Sequence, residues 1–414
     1  MQLGRPRLAV VTALVAAASM AATAGATLGE SGSHAAAPDF MTSSQQLGPL
    51  RQNPRVAIVP GALPGRDNAA SVAAEGKSYW FFGDTFINAP LSAVNNSAAV
   101  TSDLDGTDGI TVLSSTLKTD DPVGAPVEEI AKTADELAFE KKHAGTTAQC
   151  ESSSDRYCGS MFAHWPGAAV HDAARHRLIV MTTKICRFGR AGCLTGFTGT
   201  VLGGGISTVD LRTGAVKRLP IKHQEPHWVP EGRDRTLLFP AQTYFGGTAW
   251  GEGGYLYSAY GCEPYGFTCS LARVPMGAVD DRAAWRFYAG TTGGQPIWSA
   301  SDNNLPRVLS TGAAGGTIQW APAMKAYLAI YTVPYSSDVV YQTAAHPWGP
   351  WSAPGRLFDT LAPRGEVPNY AAFAHPEYSP DGGLTQYVTY YHSGYGELEL
   401  VRVRFCPAGS TVCT

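Results

Sequence analysis

The sequence predicts an all-β fold: a five-bladed β-propeller with a short helical insertion between blades 1 and 2. Three observations lead there. The 414 residues include 46 glycines and 28 prolines, with nine tryptophans, 18 tyrosines and 15 phenylalanines, a mixture of turn formers and strand-filling aromatics. The apolar residues come in many short runs rather than in long helical stripes. One pattern then recurs along the chain: a polar-aromatic-proline strand, a short polar turn, and a strand rich in β-formers.

Residues 1–26 read as a secretory signal, with Arg5 and Arg7 ahead of an alanine-rich apolar stretch and small residues at Ala22-Thr23-Ala24 and Ala24-Gly25-Ala26 for cleavage. No other stretch is apolar enough to span a bilayer, so a secreted, unanchored chain is expected. Residues 27–50 are small and polar and are expected to form a flexible leader, which leaves 51–414 for the propeller.

The first hairpin occupies 65–86. Its first arm is small (Ala69 to Ala73), its second is aromatic (Tyr79 to Phe82), and Glu75-Gly76 makes the turn. With those two residues at the turn's centre, Asp67 falls opposite Asp84. Directly opposed residues share a face, with Cβ atoms roughly 4.5–5.5 Å apart. Two carboxylates about 5 Å apart can serve as nucleophile and acid/base on a glycosidic bond, whereas ~6.5–9.5 Å suits the inverting reaction.

Four weaker echoes follow: 161–166 with 177–182, 225–230 with 236–239, 317–322 with 326–331, and 373–377 with 386–390. Their spacings, roughly 55–100 residues, suggest blades with long loop insertions. In such a ring the first strand of each blade lines a central funnel. The side chains placed to face it are Asp67, His164, Glu225 or His227, Gln319 and His375, with Trp165 available to stack on a sugar and Glu377 as a further polar contact. Glu225, Glu231 and Glu377 stand in reserve as acids. Between the first and second units, 126–142 has helical composition, with Pro126 fit to start a helix and Ile130, Ala134, Leu137 and Ala138 at helical spacing.

The eight cysteines fall into four close pairs, Cys150/Cys158, Cys186/Cys193, Cys262/Cys269 and Cys406/Cys413, as expected of local disulfides in an exported chain. No Cys-x-x-Cys and no paired histidine spacing is present, so no metal or other cofactor is expected. A net charge of −3 with only 16% charged residues argues against nucleic-acid binding. Gly203-Gly204-Gly205 lacks the Lys-Ser/Thr partner of a phosphate loop, and no Gly-x-Ser-x-Gly elbow is present. Ser379-Pro380-Asp381-Gly382-Gly383-Leu384-Thr385 looks like the Asp-box turn of sialidases, but Gln386 replaces the expected tryptophan, and it reads as a structural turn.

Gly65-Arg66-Asp67, Ser71 and Trp80-Phe81-Phe82-Gly83-Asp84-Thr85 together resemble exported actinobacterial glycoside-hydrolase-like five-bladed propellers. That group is similar to the endo-D-arabinanases of glycoside hydrolase family 183 and, more distantly, to the furanosidase propellers of families 43 and 62. Asn96-Ser97, and His375-Pro376 followed by Asp381-Gly382-Gly383, also fit. The likeness covers most of 55–406 and is sharpest in the first hairpin. It implies an acidic site with Asp67 and Asp84 at the motif positions. The chain departs from the pattern at Asn68-Ala69, where the arabinanases place Leu-Gly and nearer relatives often place glycines. The expected activity is hydrolysis of a furanose-containing polysaccharide of arabinan or arabinogalactan type by a monomer; the alternative is a non-catalytic glycan-binding propeller of the cell envelope.

Overall fold

The computed structural model describes residues 40–407, except 123, 191–192, 194–198, 264–267 and 313. The signal-like segment and Cys413 lie outside the described residues. The fold is nearly all-β, with two α-helices, Ala134–Lys142 and Thr147–Glu151, among the described residues. None of the described helices is long and apolar enough to cross a membrane.

Five antiparallel sheets of three to five strands follow one another along the chain. The first holds Ala70–Ala74, Lys77–Phe82 and Ser97–Thr101. The second is built on Met161–Asp172, Arg177–Arg187 and Thr200–Asp210, the third on Ala249–Glu252, Tyr255–Tyr260 and Ser270–Pro275. The fourth opens with Gly316–Ala321 and Ala326–Thr332. The fifth joins Tyr370–Ala374, Thr385–His392 and Glu397–Pro407 to a strand from the other end of the chain, Phe40–Pro49.

That last strand corrects the flexible-leader expectation over 40–49, and residues 27–39 lie outside the described residues. Residues 40–49 pair with 399–407 through an antiparallel ladder, from Phe40 opposite Pro407 to Pro49 opposite Glu399. Small polar residues such as Ser43, Ser44 and Gln45 lack a signature of their own, yet they suit an outer strand whose backbone bonds are supplied by a partner.

Each sheet buries a face against two others, in cyclic order. Tyr79, Phe81 and Val100 of the first pack on Leu178, Val180 and Val209 of the second. Ile179, Met181 and Ile206 meet Leu256, Val274 and Phe287 of the third. Trp250 and Leu271 meet Ile318 and Ala329 of the fourth, and Leu328 and Ile330 meet Val388 and Val403 of the fifth. Tyr387, Leu398 and Leu400 then return to Trp80 and Phe82 of the first. Full burial of such a side chain stabilises by about 1.5–3 kcal/mol, so these five apolar layers hold the sheets together. First strands also meet directly: Ala168 N–H donates to Gly246 O at 3.1 Å, Gly316 N–H to Gly247 O at 3.2 Å, and Ala374 N–H to Thr317 Oγ1 at 3.0 Å.

The third expected unit is misplaced by the sequence reading. His227–Val229 and Gly232–Asp234 form a separate two-stranded hairpin, and Leu237–Pro240 pairs with Thr200–Asp210 of the second sheet. The third sheet begins later, at Ala249–Glu252. Pro226 and Pro230 mimic the repeat, but they bracket a hairpin too short to support a sheet. The helix is also shorter than its composition suggested. It starts at Ala134, where Thr133 caps Glu136 and Glu136 caps Thr133 in return, so the capping box rather than Pro126 sets the boundary.

Candidate active site

The first hairpin keeps the register read from its turn: Ala70 faces Phe81, and Ala74 faces Lys77. An isolated bridge between Arg66 and Thr85 preserves that register past the strand. Between bridge and strand, Asn68 (φ 71°) and Ala69 (φ 59°) adopt left-handed conformations that bend the chain. Glycine is the residue that tolerates such angles most readily, yet neither position holds one. The amide N–H of Gly83 donates to Asp67 O at 3.0 Å. A Cβ on Gly83 would lie 2.4 Å from Asp67 Oδ1, so the missing side chain is what lets the carboxylate lie over that strand.

Asp67 and Asp84 therefore stand across from one another, in unequal surroundings. Tyr370, at the start of its strand in the fifth sheet, donates its hydroxyl to Asp67 Oδ2 at 2.7 Å. Burial, and next the nearby Asp84 charge, push the Asp67 carboxyl up to about 6; Tyr370 and Arg187 pull the other way. Asp84 is gripped at both oxygens: Arg187 Nη1 donates to Oδ2 and Nη2 to Oδ1, each at 2.6 Å. Burial raises the Asp84 carboxyl, and the guanidinium fork opposes that rise. Arg187 also donates to Asn95 Oδ1 at 2.6 Å, and its position is anchored by the adjoining disulfide between Cys186 and Cys193. The partly buried Trp165 ring lies 5.8 Å from the guanidinium carbon.

The other expected site residues scatter. His164 is 1% exposed and sits in a buried ionic cluster instead of a funnel. Its Nε2 meets Glu136 Oε1 at 3.1 Å and Arg218 Nη1 at 3.0 Å, and burial holds the imidazole down to about 4. The centre of that cluster is Lys184, whose Nζ lies 2.7 Å from Glu136 Oε1, 2.7 Å from Asp234 Oδ2, and against Glu231. Arg218 adds contacts to Glu136 at 2.8 Å and to Asp234 at 3.3 Å. Three carboxylates thus converge on two cations, and Glu136 stays far below the usual carboxylate range because those cations and His164 outweigh its burial. The cluster ties the helix Ala134–Lys142 to the second sheet, and Glu231 belongs to it rather than standing free as a reserve acid.

His375 is fully buried. Its Nδ1 meets Ser71 Oγ at 2.7 Å, its Nε2 meets Thr389 Oγ1 at 2.9 Å, and its ring lies 4.2 Å from Trp80. Burial lowers its basicity to about 3. With both ring nitrogens engaged inside the protein, His375 fastens the first sheet to the fifth, while buried His164 joins its strand to the helix through Glu136. Glu225 is exposed and precedes the short hairpin, while His227, on that hairpin, meets the Gln224 amide at 2.8 Å. Gln319 and Glu377 line a separate cavity, described below. Ser379 and Asp381 bond only within their own turn, to Gly383 N at 2.9 Å and Thr385 N at 2.7 Å, as a structural turn requires. Disulfides join Cys150 to Cys158, Cys186 to Cys193 and Cys262 to Cys269.

Arg187 and Tyr370 are the partners of the acid pair that sequence reasoning missed. Arg187 lies 103 positions from Asp84 and carries no motif. The one signal was indirect: a cation beside Cys186, a few residues past the strand expected at 177–182.

A family model described as "Domain of unknown function (DUF4185)" matches residues 63–398, and the chain belongs to that family. No curated protein is similar in sequence. Among solved structures, the chain is similar to a presumed hydrolase from Bacteroides ovatus ATCC 8483 (14% identity, 82% of this chain and 85% of that one, TM-score 0.48). It is also similar to the GH43_1 enzyme from Xanthomonas citri complexed with xylotriose (11%, 85% and 90%, TM-score 0.43). A third is a GH43 β-xylosidase/α-arabinofuranosidase from a compost microbial metagenome (11%, 85% and 94%, TM-score 0.42). At these scores the likenesses carry none of the argument below.

Proposed function

We propose that the chain is a secreted, monomeric glycoside hydrolase that cleaves a furanose-containing polysaccharide of arabinan or arabinogalactan type. Its five sheets, packed in cyclic order, are read as the blades of a five-bladed β-propeller, with the helices as an insertion between blades 1 and 2 and the propeller running over 51–414 plus the strand at 40–49. Residues 1–26 are read as the export signal, and the three disulfides are compatible with an oxidising destination.

The observation that carries this reading is the unequal pairing of Asp67 and Asp84. Two carboxyls in unequal surroundings, Asp84 forked by a guanidinium and Asp67 held by a phenol, can divide the acid and base roles. Asp67, held near 6, keeps a proton to give to the glycosidic oxygen as the bond to the leaving sugar breaks. Asp84, paired with Arg187, supplies the electron pair that attacks the anomeric carbon and forms a glycosyl ester. Water then displaces Asp84, losing its proton to the Asp67 carboxylate, and both groups return to their starting states. Reducing ends released from arabinan or arabinogalactan test the reading. Wild type is expected to release them and Asp67→Asn and Asp84→Asn to lose at least ~10²-fold; activity surviving in both variants refutes the assignment.

One observation favours the second reading, a non-catalytic glycan binder. Both Asp84 oxygens are already engaged by Arg187, so attack requires one N–H to be released. Wild type that binds but never cleaves either polysaccharide decides for the binder.

A further inference from the structure

A second cavity lies at the other end of the sheets' first strands. It encloses about 670 Å³ and draws its walls from the first strands of four sheets and from the 3₁₀ turn Pro376–Tyr378 beside the fifth. Asp67 precedes the first strand and Trp165 lies early in the second sheet's first strand, whereas the cavity is lined by Ala73 and His171, near the far ends of the same strands. Asp67 lies three residues before the strand Ala70–Ala74 begins, beyond the bend at Asn68-Ala69, and Ala73 is the last but one residue of it. The space between is filled. Ala70, Ala371 and Phe373 are buried together, and a Cβ on Gly315 would lie 2.0 Å from Gly247 O. The two ends are therefore separate compartments.

The cavity's chemistry is aromatic and hydrogen-bonding, with no lysine or arginine in its wall. Trp320 is 45% exposed and lines the cavity. Its ring meets Tyr327 edge-on at 5.1 Å, which fixes its orientation, and the Tyr327 hydroxyl is held by Glu252. Trp250 is 7% exposed, and its indole N–H finds no partner. Glu377 Oε1 is oriented by Ser71 Oγ and Ser78 Oγ, each at 2.6 Å, and Gln319 is fixed by its amide bond to Gln386 at 2.6 Å. Rigid aromatic faces beside oriented acceptors and an unpaired donor match a ring with an apolar face and a rim of hydroxyls.

We propose that this cavity is a second, non-catalytic carbohydrate site that holds an uncharged sugar unit, with Trp320 as the stacking platform and Glu377, Glu252, Gln319 and Trp250 as hydroxyl partners. The ligand class rests on the glycan reading above, but no residue of the acid pair takes part. Such a site tethers the protein to a polysaccharide strand while the opposite face is free to engage another.

Affinity electrophoresis in gels containing arabinan, arabinogalactan or xylan tests it. Wild type and Asp67→Asn are expected to be retarded alike in at least one gel. Trp320→Ala, at an exposed position, is expected to weaken retardation at least fivefold. Ala73→Trp, which adds bulk at an exposed position of the wall and deletes no contact, is expected to abolish it; circular dichroism melts confirm that both variants fold. No retardation of wild type in any gel, or retardation that either cavity variant leaves unchanged, overturns the proposal. Retardation that follows this pattern without release of reducing ends defeats the hydrolase reading and leaves the second site standing.

Discussion

Tyr370 donates its hydroxyl to Oδ2 of Asp67 across 2.7 Å, joining two residues 303 positions apart in the chain. The bond favours the ionised carboxylate, because a phenolic O–H donates more strongly to a charged oxygen than to a neutral one. Tyr370→Phe deletes the donor and leaves the ring. The Asp67 carboxyl then rises further above about 6, by roughly one unit if the bond is worth ~1.5 kcal/mol. In a pH–rate profile the alkaline limb, where the acid form of Asp67 is lost, moves to higher pH. A limb that stays put or moves down contradicts the assignment.

Asp67 also links stability to pH. Its folded-state proton affinity is raised from the ordinary 3.8 to about 6, so the protonated form is the one folding favours. The stabilisation it contributes is present below pH ~4 and is lost as pH rises through about 6. Above that, the ionised group costs about 1–3 kcal/mol. Asp67→Asn removes the cost. Its Tm is expected to exceed that of wild type at pH 7.5, with the gap shrinking at pH 4.5; a gap that is flat or widens toward acid argues against the shift.

Arg187 is the only described side chain forming an ion pair with Asp84. Arg187→Met leaves a buried carboxylate unpaired, a change that costs about 3–5 kcal/mol. The double variant Asp84→Asn with Arg187→Met is expected to be more stable than Arg187→Met alone, since the uncompensated charge is gone. Arg187→Lys keeps the charge but not the two-pronged geometry and should recover only part of the loss. Denaturant unfolding of wild type, Asp84→Asn, Arg187→Met and the double variant measures the coupling, and additive effects would show that the pair is not coupled.

Lys184 neutralises Glu136, Glu231 and Asp234 from the middle of their cluster. Lys184→Met sets the carboxylates against one another and should destabilise by about 3–5 kcal/mol at pH 7. The loss should be smaller at pH 4.5, where the carboxylates take up protons. The helix Ala134–Lys142 loses an anchor in the variant, so limited proteolysis should cut first within 121–157. Cleavage elsewhere first would place the cluster's mechanical role in doubt.

Much of the fold was legible where local chemistry repeats. The first hairpin could be registered from Glu75-Gly76 alone, because a two-residue turn fixes every pair along both arms. Parts of five strands, 161–166, 177–182, 317–321, 326–331 and 386–390, announced themselves by local composition, although the first two run on to 172 and 187. The third unit failed because a proline-flanked hairpin imitates the repeat, and the strand at 40–49 because its stability comes from a partner over 350 positions away. The candidate site was half legible. Both aspartates lie on one hairpin and could be paired on paper. The groups that make them unequal, Arg187 and Tyr370, come from other sheets, and no spacing rule spans such distances. Burial misled the histidines: His164 and His375 sit near expected strand positions, but their rings are spent on internal bonds.

The central claim is that Asp67, buried beside the Asp84 charge, titrates well above an ordinary aspartate, and a carboxyl ¹³C NMR titration of aspartate-labelled protein tests it most directly. One resonance is expected to titrate with a midpoint near pH 6 and to vanish in Asp67→Asn. In Asp84→Asn that midpoint should fall, because the charge that helps raise it is removed. A spectrum in which every aspartate titrates below pH 5, or in which the resonance near 6 survives Asp67→Asn, would contradict the account.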